Sequence, residues 1–206
     1  MSSVTTTSIP TRLSAEERRE QIILAATAAF GARGYDGTTT DDVARAAGVS
    51  QPYVVRLFGS KEKLFLGALG DALDRLVATF REAIAATGPG EERARAIGDA
   101  YVDLLRRRGL HQILSQSFLL GSHPVIGPAA RDGFASIWRL LREEAGMDTQ
   151  AADLFLAQGM LINTLLGLRI TDQYGEHSGM TEVLDKCFPH SIDAVLEGAP
   201  RGDDPW

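Results

Sequence analysis

The sequence predicts an all-α fold. Apolar residues recur at three- and four-residue spacing along most of the chain, and no segment alternates with the period of two that a strand needs. Ser, Thr and Asp stand where these segments begin, and Gly stands where they end. About nine helices fit between the breaks, in two groups. A three-helix head spans 14–59 and a larger helical domain spans 60–198, with a polar arm at 1–13 and a frayed tail at 199–206.

The chain has 206 residues, 44% of them hydrophobic, which suits one or two packed domains. No apolar run reaches the length of a membrane span, and the first residues lack the apolar core of a signal peptide, so the expected location is cytoplasmic, with no membrane partner. A single cysteine, Cys187, excludes an internal disulfide. The net charge of −6 is unevenly placed. Residues 1–64 carry eight Lys/Arg against seven Asp/Glu, and residues 65–206 carry thirteen against twenty. A cationic excess in the head is compatible with phosphate binding, which depends on where the cations sit.

Ser14 and Glu17 form a capping box at the start of the first helix. Ile22, Ile23, Ala26, Ala29 and Phe30 make its buried stripe, and it ends before Gly31 or Gly34, with Tyr35 packed at the junction. Thr39 with Asp42 starts a second helix, which carries Val43, Ala44 and Ala47 and stops at Gly48. Ser50 caps a third, and Pro52 is tolerated in its first turn. Val54, Leu57 and Phe58 are expected to be its buried face, leaving Pro52, Tyr53, Val55 and Arg56 outward. The second and third helices together have the layout of a helix-turn-helix.

Gly-Tyr at 34–35, Thr-Thr at 38–39, Ala-Gly-Val-Ser at 47–50, Phe58 and Ser-Lys-Glu at 60–62 make residues 15–65 resemble the tetracycline-repressor (TetR) family of bacterial transcription regulators. Beyond residue 65 the likeness is one of size and helical layout. The resemblance implies a homodimer that binds a palindromic double-stranded DNA operator as a repressor. A small apolar effector held among the central helices would move the two heads apart and release the DNA.

A helix-turn-helix sets the start of its second helix against base edges, while helix N-termini and Lys hold phosphates. Ser50, Gln51, Pro52, Tyr53 and Arg56 are therefore the candidate DNA-reading surface. Gln51 has an amide suited to adenine, Arg56 a fork suited to guanine or phosphate, and Tyr53 a ring for a thymine methyl or a phosphate. Thr39, Thr40 and Lys61 are candidate phosphate clamps. Two departures from the family pattern thin the backbone contacts: Val55 replaces a frequent aromatic, and Leu57 a frequent His. Asp41 would repel phosphate.

Ser60 caps a long fourth helix carrying Leu64, Phe65, Ala68, Leu69, Ala72, Leu73, Leu76 and Phe80, which stops at Thr87-Gly88-Pro89-Gly90. The fifth is expected over 91–108, ending in the solvated run Arg106-Arg107-Arg108. The sixth reaches about Leu120, and the seventh runs from about Val125 to Ala145. The eighth, capped by Asp148, has no charged residue from Leu154 to Leu168 and is apolar all round, so one face must meet a second subunit. The ninth, from about Met180 to Glu197, is kinked or divided at Pro189. The resemblance makes the last two long helices the dimer interface, with Leu161, Leu165, Leu184, Phe188, Ile192 and Val195 as candidates.

The candidate effector lining is Tyr101, Leu105, Phe118, Phe134, Trp138 and Phe155, with Gln116, Gln158 and Asn163 as polar anchors. Asn163, in the apolar eighth helix, needs a partner, because an unpaired buried amide costs about 1–3 kcal/mol. His111, His123, His177 and His190 are scattered, without metal-ligand spacing. No nucleophile elbow, phosphate loop or dinucleotide fingerprint is present, so no cofactor, metal site or catalytic residue is assigned. The alternatives to an effector-responsive repressor are a DNA-binding dimer without an effector and a helical enzyme or carrier with a vestigial head.

Overall fold

A computed structural model describes residues 14–199; the arm expected at 1–13, and the tail beyond its first residue, lie outside the described residues. Ten α-helices and no strand are found among them: α1 Ala15–Arg33, α2 Thr40–Ala46, α3 Gln51–Phe58, α4 Lys61–Ala86, α5 Glu91–Asp103, α6 Leu110–Leu119, α7 Ile126–Arg139, α8 Thr149–Gly167, α9 Ser178–Cys187 and α10 Ile192–Gly198. The count is ten rather than nine because the chain leaves helical geometry at Phe188-Pro189, dividing the last segment into α9 and α10. None of these helices is long and apolar enough to cross a membrane.

The head closes on itself through short local rules. Ser14 accepts from the Glu17 N–H while Glu17 accepts from the Ser14 N–H, and Thr39 and Asp42 repeat the arrangement on α2. Gln21 reaches across from α1 to donate to the Ala47 carbonyl (3.0 Å), satisfying the end of α2. Gly48, at φ +63°, then turns the chain into α3. Ile22, Ala26 and Phe30 meet Val43, Val54 and Leu64 in one dry core.

Leu57 corrects the expected face of α3. It is 39% exposed, while Val54 and Phe58, four residues apart, are buried. On a helix of eight residues only one ridge faces the core, so Leu57 joins Val55 outside. Ser50 occupies the cap position, but its side chain makes no capping hydrogen bond.

α4 runs 26 residues from the head into the second domain, burying Leu64, Phe65, Ala68, Leu69, Ala72, Leu76 and Phe80 along one side. Arg93 donates to the Thr87 and Ala145 carbonyls (3.0 and 3.2 Å), so the turn after α4 and the end of the α7 segment are held together. That segment finishes in a π-helical turn, Leu140–Glu144, whose Glu144 takes two 2.8 Å hydrogen bonds from Arg81 of α4. α5 is shorter than expected: it ends at Asp103 and passes through a 3₁₀ turn, Leu104–Arg106, before Arg107 becomes extended. Leu104 and Leu105 are both buried there.

Candidate functional site: a nucleic-acid interface and a cavity

In the head, Gln51 donates to the Thr40 hydroxyl at 3.2 Å, which places the starts of α2 and α3 side by side. Arg56 lies 5.0 Å over the Tyr53 ring, a stacking that holds the guanidinium outward. No carboxylate lies within 4.0 Å of Arg56 among the described residues. Pro52 is exposed beside them, and Ser50, exposed and free of a capping role, keeps its hydroxyl available.

Lys61 sits 4.5 Å over the Tyr35 ring and 3.5 Å from the Asp36 carbonyl. The Thr39 hydroxyl donates to Asp42 at 2.6 Å and accepts from the Asp42 N–H at 3.1 Å. The bonds that the Asp42 carboxyl accepts from the Thr39 hydroxyl and from the Thr39 N–H (2.9 Å), ahead of the Arg33 charge, hold it below the usual range. Asp41 is neutralised by Arg45 at 2.7 Å.

The second domain holds a half-open cavity of about 540 Å³ lined from α4, α5, α6, α7, α8 and α9, with Pro189, His190 and Ser191 at the turn before α10. Of the nine expected lining residues, Tyr101, Phe118, Phe134, Phe155, Gln158 and Asn163 line it. Three do not, and each has a structural reason. Leu105 lies in the 3₁₀ turn under Gly198 of α10. Gln116 turns its amide toward Gly34 at the end of α1. Trp138 packs half-buried against the core, while its neighbour Ile137 reaches the cavity.

Leu73, Leu76 and Phe80 of α4 were not foreseen as lining, since their spacing matches any buried stripe. Gly98 and Gly159 form open parts of the wall: a Cβ at Gly98 would stand 4.0 Å from Phe155 and one at Gly159 3.8 Å from Tyr101. The partner Asn163 needs is on a neighbouring helix, where the Tyr101 hydroxyl donates to its Oδ1 at 2.6 Å.

Behind Tyr101 stands His111 of α6, its ring 4.5 Å from the phenol ring and its Nε2 3.1 Å from the Tyr101 carbonyl. Burial outweighs that hydrogen bond and pulls the imidazole from 6.5 down to about 4. The neutral ring is thus the native one. In the unfolded chain the imidazole takes a proton near pH 6.5, so stability is intact above that pH and falls as pH drops from 6.5 toward 4. At pH 5 the expected loss from this group is ~2 kcal/mol. Urea midpoints at pH 7 and pH 5 check it: His111→Gln should flatten the difference, and an equal difference in wild type and variant would exclude His111 as its source.

The expected dimer contacts divide by burial. Leu165, Leu184, Phe188 and Val195 are buried within the chain itself, so their apolar surface is already spent on its own core. Ile192 is half-buried, and Leu161 is exposed. Leu154 and Leu168, exposed 62% and 67%, stand seven residues either side of Leu161 and complete a stripe along α8.

The family model described as bacterial regulatory proteins, tetR family, matches residues 22–68. The chain is 38% identical over 94 residues to the HTH-type transcriptional activator FasR of Mycolicibacterium smegmatis, a match covering 46% of this chain and 43% of that one. It is 44% identical over 59 residues to the HTH-type transcriptional regulator HbdR of Aromatoleum sp., covering 29% and 26%. The matched stretch thus spans less than half the length of either relative. In overall fold the chain is similar to a transcriptional regulator from Rhodococcus sp. Rha1 (TM-score 0.59, 24% identity, 88% of this chain and 97% of that one). It is also similar to the multidrug binding protein EbrR complexed with imidazole (TM-score 0.56, 20% identity, 97% and 98%).

Proposed function

We propose that the chain, whose residues 22–68 match the tetR family model, is a bacterial transcriptional regulator of that family and acts as a homodimeric repressor of a palindromic operator, released when a small apolar effector enters the second domain. It is a DNA-binding regulator and not an enzyme. The observation that carries the effector reading is the cavity of about 540 Å³, whose wall includes α4, the helix that runs from the head into the second domain. The dimer reading rests on the exposed leucine stripe of α8. The domain division at 59/60 fits this reading, since α4 starts at Lys61 and belongs to both ends.

In this reading Tyr53 and Arg56 carry operator recognition, Ser50, Gln51 and Pro52 complete the reading surface, and Thr40 and Lys61 approach phosphates. Leu57 and Val55 add apolar surface beside them. Thr39 contributes by fixing the start of α2. Two such surfaces on a two-fold axis read half-sites about 34–36 Å, or a multiple of that, apart.

The test is a gel shift on the chain's own upstream region, with and without apolar compounds. Arg56→Ala should cost about 1–3 kcal/mol and relax preference at particular base pairs. Lys61→Ala should weaken all sequences alike and lower the salt slope by about one unit. Wild-type operator affinity in a Tyr53→Ala/Arg56→Ala double variant would show that another surface faces the DNA. The relative named as an activator supports a second reading, in which the bound dimer raises transcription. A reporter fused to the operator separates the two by the sign of its response to deletion.

A further inference from the structure

We propose that the cavity selects an uncharged apolar ligand bearing a carbonyl oxygen, and that the Asn163 amide N–H, set by Tyr101, is the group that reads it. The inference rests on the effector reading of the cavity and adds the ligand's chemistry.

The polar side chains of the cavity separate by depth. Arg95, Asp99, Gln158 and His190 are exposed and stand at its rim. Tyr101 and Ser117 are buried, and Asn163, Cys187 and Ser191 are half-buried between them and the rim. Ser117, buried, donates its hydroxyl hydrogen to the Leu114 carbonyl at 2.7 Å. The Tyr101 hydroxyl donates to Asn163 Oδ1 at 2.6 Å, and burial keeps that phenol protonated.

This bond fixes which end of the amide is free. Oδ1 is occupied, and Nδ2 keeps its hydrogens, with no acceptor within hydrogen-bond reach among the described residues. The amide is therefore a half-buried donor facing the cavity, where a ligand acceptor can take the place of water. A carbonyl oxygen supplies that acceptor at little desolvation cost.

A carboxylate also accepts, but no cation stands beside Asn163. Arg95 is at the rim with Asp99, which lines the same opening, and His111 is turned to the Tyr101 carbonyl on the far side of that ring. A buried anion would thus be desolvated without a counter-charge. Gly98 and Gly159 widen the space next to the pair, three residues before Tyr101 and four before Asn163, where a ring or chain can lie against both.

The experiment uses the full-length protein, with Nile red as a neutral fluorescent occupant and three competitors of nearly one shape: benzophenone, diphenylmethane and diphenylacetate. The quantity read is the ratio of displacement midpoints for benzophenone and diphenylmethane, which cancels their shared packing. Replacing Asn163 by Leu should shift that ratio about tenfold toward diphenylmethane, and Tyr101→Phe several-fold, as expected for loss of one buried hydrogen bond. Tyr101→Phe keeps the ring against Phe80 and His111 and so guards against a folding defect in the other variant.

An unchanged ratio in both variants, with Nile red still bound, would overturn this inference and leave the cavity reading standing. Tightest binding by diphenylacetate would do the same. Uptake of no probe by the wild-type protein would overturn the cavity reading itself.

Discussion

Replacing Gly109 by Ala is expected to destabilise the protein by roughly 3–5 kcal/mol and to lower its melting temperature by about 10 °C. Gly109 precedes α6 at φ +79°, a region that costs an L-residue energy before any contact is considered. An added Cβ would stand 2.3 Å from the Thr27 carbonyl oxygen and 2.8 Å from the Ala28 Cα. Both are backbone atoms of α1, so no side-chain rotation relieves the overlap. Gly31 faces the same spot from the other helix, where a Cβ would lie 2.7 Å from the Gly109 Cα. Head and second domain therefore touch backbone to backbone at this point, and the methyl must drive α1 and α6 apart.

Gly70→Ala in α4 is the control, since a Cβ there meets nothing within 4 Å and should add up to about 1 kcal/mol of helix stability. Thermal melts of the two variants side by side make the comparison. A Gly109→Ala protein that melts with the wild type would mean that the two helices are not in this contact.

α6 carries His111, which rests on Tyr101, which holds Asn163 in the cavity wall. It also starts at Gly109, against α1. On the other side the loop before α7 reaches the head through His123, whose ring lies 5.5 Å from Tyr35 and 3.7 Å from Glu62. His123 Nδ1 accepts from the N–H groups of Val125 and Ile126, so the residue that touches the head also caps α7. In the proposed mechanism, a ligand that shifts α6 or α7 would be felt by the head at both places, because packed backbones do not absorb displacement.

Much of this was legible in the residues, for identifiable reasons. Ser14/Glu17, Thr39/Asp42, Ser60 and Asp148 announced four helix starts, because a side chain at a cap acts within three residues and needs no tertiary context. The stripe of α4 was readable because seven turns give the periodicity enough repeats. Leu57 was misread because two turns do not: on so short a helix the buried direction is set by where α2 and α4 lie, not by apolar count. The fifth helix was extended too far because Leu104, Leu105 and the arginines after them suit an α-helix as well as the 3₁₀ turn they form. Gln116 and Trp138 have the composition of pocket residues and the placement of junction and core residues. That difference lies in helix rotation, which composition does not encode.

Leu161→Glu is expected to convert the proposed dimer into a folded monomer. Leu154, Leu161 and Leu168 recur every seven residues along roughly 21 Å of helix, the spacing of a seam between two helices. Between them lie Ala157 and Thr164, both exposed and small enough for a second helix to approach. In a single chain this stripe stays in water, at about 25 cal/mol for each Å² that pairing would cover. A carboxylate at its centre would be buried twice per dimer, once from each copy, with no cation on the stripe to meet it. The expected rise in dimer Kd is therefore on the order of a thousandfold or more.

The substitution should leave the fold intact, because Leu161 is 44% exposed within its own chain. Leu165→Glu, one turn on but only 4% exposed, should instead unfold or aggregate the protein. Leu119→Glu, at an 80% exposed position on α6, should change neither property. Light scattering and circular dichroism on the three variants distinguish an interface residue from a core residue and from a merely exposed one. A well-folded wild-type monomer at micromolar concentration, or a Leu161→Glu protein that remains dimeric, would remove α8 from the interface.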